Sequence, residues 1–151
     1  MGNDSRFEKG SILYFSPFIF SNGDEPKNKY FLVLHCDEQN LILASLPTSQ
    51  DHVPGSLEKK HGCINQSDIN FNCYLFEKGR VVCSNGFSFP KETYVYGFRL
   101  QLFDLYVFCV QECNDETKIE VKGRLLDEEY NALVQCLKNS TSVKRKYKAL
   151  L

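Results

Sequence analysis

The sequence predicts a mainly β domain, of the β-barrel or α+β class, finished by one or two helices at its C-terminal end. Three observations carry this. Strand-length apolar runs separated by polar turns fill the stretch from Gly10 to Cys113. Aromatic residues make up 13%, with 12 Phe and 8 Tyr, types that favour strands. A helical apolar period emerges only after Arg124. Strands first and helix last argue against a parallel α/β sheet.

The chain has 151 residues, 42% of them hydrophobic, which suits one domain with a sizeable core over 1–151. Its expected parts are a loose polar N-terminus over 1–9, a β-barrel over 10–113 and a helical end over 124–151. The run Ser11 to Phe20 is apolar enough to be buried on both faces, with Pro17 at a strand end or bulge. Ser21 to Lys29 is polar, with Asn-Gly and Pro, and reads as a loop too long for a tight hairpin. Tyr30 to His35 and Leu41 to Leu46 are strands joined by the polar turn Asp37 to Asn40, a hairpin pattern.

Thr48 to Lys60 reads as loop, His61 to Ile64 as a short strand, and Asn65 to Asn72 as loop. Cys73 to Phe76 and Arg80 to Cys83 flank Glu77-Lys78-Gly79, which predicts a second hairpin. Thr93 to Phe98 and Leu100 to Gln111 read as the last strands, and Ile119 to Leu125 fits either class. Leu126, Tyr130, Leu133, Val134 and Leu137 then line one face of a helix. Asp127, Glu128 and Glu129 at its start and Lys138 at its end suit the helix dipole, and Asp127 or a neighbour suits the N-cap. Val143, Tyr147, Leu150 and Leu151 suggest one more short helix beside the basic run Lys144 to Lys148.

The formal net charge is −1, so there is no global pull on nucleic acid or anionic membrane; any such binding needs a local patch. No apolar run approaches the roughly 20 residues of a membrane span. Met1 to Gly10 lacks a signal-peptide pattern, so the expectation is a cytoplasmic protein without membrane contact. Seven cysteines, an odd number with no C-x-x-C pair, then read as small hydrophobes. A zinc site from His61, Cys63 and Cys73 is the sharper alternative, at a spacing that matches no standard zinc motif.

Gly10-Ser11-Ile12-Leu13-Tyr14-Phe15-Ser16-Pro17-Phe18, Lys29-Tyr30-Phe31-Leu32-Val33-Leu34, Ala44-Ser45-Leu46-Pro47-Thr48-Ser49-Gln50 and Gly123 to Tyr130 follow in an order that resembles the MazF/PemK family of toxin–antitoxin ribonucleases. The likeness covers residues 10–50 and 121–138. It departs from the family where Lys29-Tyr30 stands for Arg-Pro and Ser11 for an acidic residue. The resemblance implies an SH3-like barrel, often a homodimer. It also implies metal-independent cleavage of single-stranded RNA with no cofactor, neutralised by an antitoxin protein.

Such cleavage needs a base for the 2′-hydroxyl, charge stabilisation at the phosphate and a proton for the leaving 5′-oxygen. By the resemblance, Lys29 replaces the phosphate-bracing Arg, and Thr48 and Ser49 supply hydroxyls. His52, in the loop that follows, is an additional acid–base candidate. Lys27, Arg80 and Arg99 are candidate RNA-binding cations; Arg99 follows Tyr94, Tyr96 and Phe98, which suits base stacking beside a charge. The bland alternatives are a solvated Lys29, turn-forming Thr48 and Ser49, and a two-faced strand around Tyr94 to Phe98. At the level of function, the alternative is a catalytically silent barrel of this type that binds RNA or a protein partner.

Overall fold

The computed structural model describes residues 5–18, 27–47, 53–55, 57–112 and 118–151. Eight strands and three α-helices appear there, with three short 3-10 turns at Ser5–Phe7, Ser67–Ile69 and Gly97–Arg99. The strands and α-helices are β1 (Ser11–Phe18), β2 (Lys27–Cys36), β3 (Asn40–Ser45), β4 (Gly62–Gln66), β5 (Phe71–Phe76), β6 (Thr93–Tyr96), β7 (Leu100–Asp104), α1 (Leu105–Glu112), β8 (Lys118–Arg124), α2 (Asp127–Lys138) and α3 (Arg145–Lys148). They form two antiparallel sheets, ordered β7-β3-β2-β1-β8 and β4-β5-β6. The mainly β class is as expected. Among the described residues the sheets are joined at points rather than by a ladder, as where Tyr94 N–H donates to Pro47 O at 3.2 Å.

The three inner strands of the larger sheet, β1, β2 and β3, are buried on both faces, which is why they read as apolar runs. Ile12, Leu32, Leu34, Ile42, Ala44 and Leu46 face the smaller sheet and α2, and pack with Tyr74, Phe76, Phe89, Leu133 and Leu137. Leu13, Phe15, Phe31, Val33, Leu41 and Leu43 face the other way, onto Phe7 and Phe108. Each such side chain contributes about 1.5–3 kcal/mol by leaving water. Phe7 meets Phe108 edge-on at 5.8 Å, so the segment before β1 is tied down rather than loose from residue 5 onward.

The β2–β3 hairpin forms as expected, with Asp37 to Asn40 closing it. Several other expectations change. β2 begins at Lys27, because Phe15 and Phe18 of β1 pair with Lys29 and Lys27; Lys29 is a strand residue, not a loop residue. β5 pairs with β4 and β6, and residues 80–83 make only isolated bridges, Val81 to Ser88 and Cys83 to Leu125. The run after Asp104 is helical, not a strand. Asp104 Oδ1 accepts the Val107 N–H at 3.0 Å, the bond of a helix N-cap, and Phe108 docks on the core, which overrides the β propensity of Leu-Tyr-Val-Phe. β8 pairs along β1. Its Gly123 is required there, since a Cβ would lie 2.7 Å from Asn85 Oδ1 and 2.9 Å from Cys83 Cβ. α2 forms on the expected face, but Leu126 stands at its N-cap without a side-chain cap.

The cysteine expectation is corrected in part. Cys63 of β4 and Cys136 of α2 form a disulfide, with Cα atoms 5.6 Å apart, because α2 packs directly on the β4–β5 hairpin. Among the described residues, Cys73 and Cys83 are buried thiols outside this bridge. Burial pushes the Cys73 thiol up to about 12 and the Cys83 thiol up to about 11, so these two do behave as small hydrophobes.

Candidate functional site

One end of the larger sheet gathers the residues of interest. β2 starts there, β3 ends there and β7 starts there. Phe31 pairs with Ser45, and Leu46 N–H donates to Tyr30 O at 3.1 Å, so continuing the register sets Lys29 level with Pro47. The chain passes from Pro47 straight into Thr48. Leu100 pairs with Ala44, so Arg99, the residue before β7, enters the sheet beside Ser45. Ser45 Oγ is buried at this end without a hydrogen-bond partner among the described residues.

The two faces of this end differ. Lys29, half-buried, shares its face with Phe31 and Val33 by strand alternation. The opposite face carries Tyr14 and Tyr30, with ring centroids 4.6 Å apart. Lys122 Nζ lies 5.3 Å from the Tyr14 centroid and 3.0 Å from Glu120 Oε2. Tyr30 also meets Phe89 edge-on at 5.4 Å. Its phenol is raised above the ordinary value by burial first, with Lys122 pulling the other way. Tyr30 at this position therefore suits packing and stacking, not proton transfer near neutral pH.

A second polar cluster sits between the smaller sheet and α2. His61 Nδ1 accepts the Glu77 N–H at 3.1 Å, which leaves the proton on Nε2, 2.5 Å from Glu129 Oε1. Tyr74 donates its hydroxyl to the same carboxylate oxygen at 2.6 Å. The side chains of His61 and Glu129 are only 8% and 13% exposed. Burial, then the Glu129 contact, raises the Tyr74 phenol, and Arg80 opposes this. All three groups are engaged with one another, so the cluster pins α2 to β4 and β5.

The sequence candidates fall as follows. Lys29 and Arg99 come to the same sheet end. Lys27 is backbone-paired with Phe18 there. Thr48, Ser49 and His52 lie outside the described residues. Arg80 is exposed in the turn after β5, close enough to the His61 cluster to act on the Tyr74 phenol. The zinc alternative loses its Cys63 ligand to the disulfide. His35 is committed to Asp37, with Nε2 to Oδ2 at 2.7 Å. Lys122, Glu129 and Tyr74 were not singled out by sequence. Glu129 reads as one of three acids in the first turn of a helix, and only tertiary packing reveals its histidine.

No helix among the described residues is long and apolar enough to cross a membrane. In comparisons with known proteins, no family model, no curated protein and no solved structure matches the chain.

Proposed function

We propose that this chain is a divergent MazF/PemK-like endoribonuclease, which cuts single-stranded RNA without metal at the Lys29 end of the larger sheet. The observation that supports this most is the gathering of Lys29, the Pro47 exit toward Thr48, and Arg99 at one sheet end. In this reading the two sheets are the halves of an SH3-like barrel. The 2′-oxygen attacks the adjacent phosphorus and gives up its proton, and the P–O5′ bond breaks as the 5′-oxygen gains one. The products are a 2′,3′-cyclic phosphate and a 5′-hydroxyl. Lys29 stabilises the charge on the phosphate as a point donor, without the two-pronged fork of an arginine. Thr48 and Ser49 add hydroxyl donors, and His52 is the candidate for the proton steps. Action as a homodimer, with an antitoxin segment filling the same groove, completes the proposal.

Induced expression with growth arrest as readout tests it, together with Lys29→Ala and Thr48→Ala. Arrest by the wild type, relieved in both variants, is the expected outcome. Equal arrest by all three proteins removes the site assignment. No arrest and no RNA cutting removes the enzyme reading.

One observation favours the silent RNA- or protein-binding module as the second reading. Among the described residues both histidines, His35 and His61, are held by carboxylates away from Lys29. The acid–base pair then has to come from the segment holding His52.

A further inference from the structure

We infer that the surface running from Phe98 and Arg99 to the basic segment Lys144–Lys148 is a stacking platform for single-stranded RNA, holding the strand that leaves the Lys29 end of the sheet. Three rings rise in a ladder along β6 and the turn after it. Tyr94 stacks on Tyr96 at 5.7 Å and 9°, and Tyr96 on Phe98 at 5.3 Å and 17°. Tyr94 and Tyr96 are buried, whereas Phe98, the last rung, is 60% exposed. The Arg99 guanidinium carbon lies 5.6 Å from the Phe98 centroid. A strongly exposed ring with a cation beside it suits a nucleobase and its phosphate.

The fold then packs the residues just ahead of the C-terminal cations against Gly97, which lies between the last two rungs. Gly97 lies so close to the turn after α2 that a Cβ would sit 2.8 Å from Val143 Cγ2 and 2.9 Å from Ser140 Oγ. Thr141 Oγ1 donates to Asn70 Oδ1 at 2.5 Å, which brings the exposed Ile69 to the same turn. Directly after it come Lys144, Arg145, Lys146 and Lys148. Tyr147, buried among the core residues, anchors this segment, and Lys144 and Lys146 lie 5.5 Å and 5.6 Å from its ring. The backbone that carries these charges is thus docked on the core through Tyr147.

The charge distribution points the same way. Residues 138–151 hold five of the 18 basic residues and none of the 19 acidic ones, which leaves thirteen against nineteen, a net of −6, for the rest. A chain near neutrality thus concentrates positive charge beside one exposed aromatic ring. An acidic peptide would use only the cations. The ring is the feature that selects a base, so single-stranded RNA is the occupant the surface fits.

The direction of the strand rests on the proposed cleavage at the Lys29 end, because Arg99 joins that end to the platform; the binding itself does not. The test is fluorescence anisotropy with a 2′-O-methylated oligonucleotide of roughly 12 nucleotides, which cannot be cut, across a salt series. The proteins are wild type, Phe98→Ala, and the triple variant Lys144→Gln, Arg145→Gln, Lys146→Gln. These positions are exposed, and thermal melts check that each variant folds. Phe98→Ala should weaken binding about tenfold at every salt concentration with the slope unchanged. The triple variant should flatten the log–log salt dependence by about 2. A wild type that does not bind, or a Phe98→Ala protein that binds as the wild type does, overturns the platform. So does a polyglutamate peptide that competes equally well against wild type and Phe98→Ala. If chelator-resistant cutting persists while these results fail, only the platform falls; if binding follows Phe98 while no RNA is cut, only the cleavage reading falls.

Discussion

His61 and Glu129, 68 residues apart, meet through Nε2 and Oε1 at 2.5 Å in a largely water-excluded seam between β4 and α2. The same oxygen takes the Tyr74 hydroxyl. Glu129→Ala therefore leaves two buried donors without an acceptor, and should destabilise the fold by about 2–4 kcal/mol. Glu129→Gln keeps an acceptor oxygen and should cost less. Urea unfolding of the three proteins checks the order; a Glu129→Ala loss within error of zero contradicts the seam's role.

The Cys63–Cys136 disulfide closes a separation of 73 residues. A loop of that size stabilises by about 4 kcal/mol through the unfolded chain, in the entropy model. Reductant, or Cys63→Ser, should lower the melting temperature by several degrees, with the largest loss of protection in α2 and the β4–β5 hairpin by hydrogen exchange. Thiol titration of the denatured protein should find two more thiols after reduction than before. Equal counts contradict the bridge.

Asp37 closes the β2–β3 hairpin. His35, through its side chain, and then the N–H groups of Gln39 and Asn40, both at 2.8 Å, hold its carboxyl far below the usual 3.8. A depressed folded-state pKa adds stability above the unfolded value and loses it as the pH falls through the folded one. The stability gap between wild type and Asp37→Asn should thus be full at about pH 5 and shrink on acidification below the ordinary carboxylate range. Chemical denaturation at several pH values measures it; a gap that widens toward low pH contradicts the assignment.

The β2–β3 hairpin and α2 were legible because local pattern and final burial agree there. Tyr130, Leu133 and Leu137 lie on one face in sequence and pack on the core, while Leu126 of the same pattern is left exposed at the N-cap. Leu105 to Gln111 misled because its β-branched and aromatic residues are a strand's by propensity, while the Asp104 cap and the docking of Phe108 make it a helix. The pairing of β5 with β4 and β6, not with residues 80–83, is non-local and leaves no short-range trace. At the candidate site, Lys29 and Arg99 were visible as isolated cations. Their meeting at one sheet end depends on the register of β2, β3 and β7. The Cys63–Cys136 bridge was hidden for the same reason: odd cysteines without a motif carry no pairing information.

Whether Lys29 acts on a phosphate is decided by single-turnover cleavage of one labelled RNA in excess chelator, with wild type, Lys29→Ala and Lys29→Arg compared. The account expects 2′,3′-cyclic phosphate ends, a rate lower by about 10²–10³ in Lys29→Ala, and a Lys29→Arg rate at or above wild type because the fork is restored. Intact RNA with the wild type, or undiminished cutting by Lys29→Ala, contradicts it.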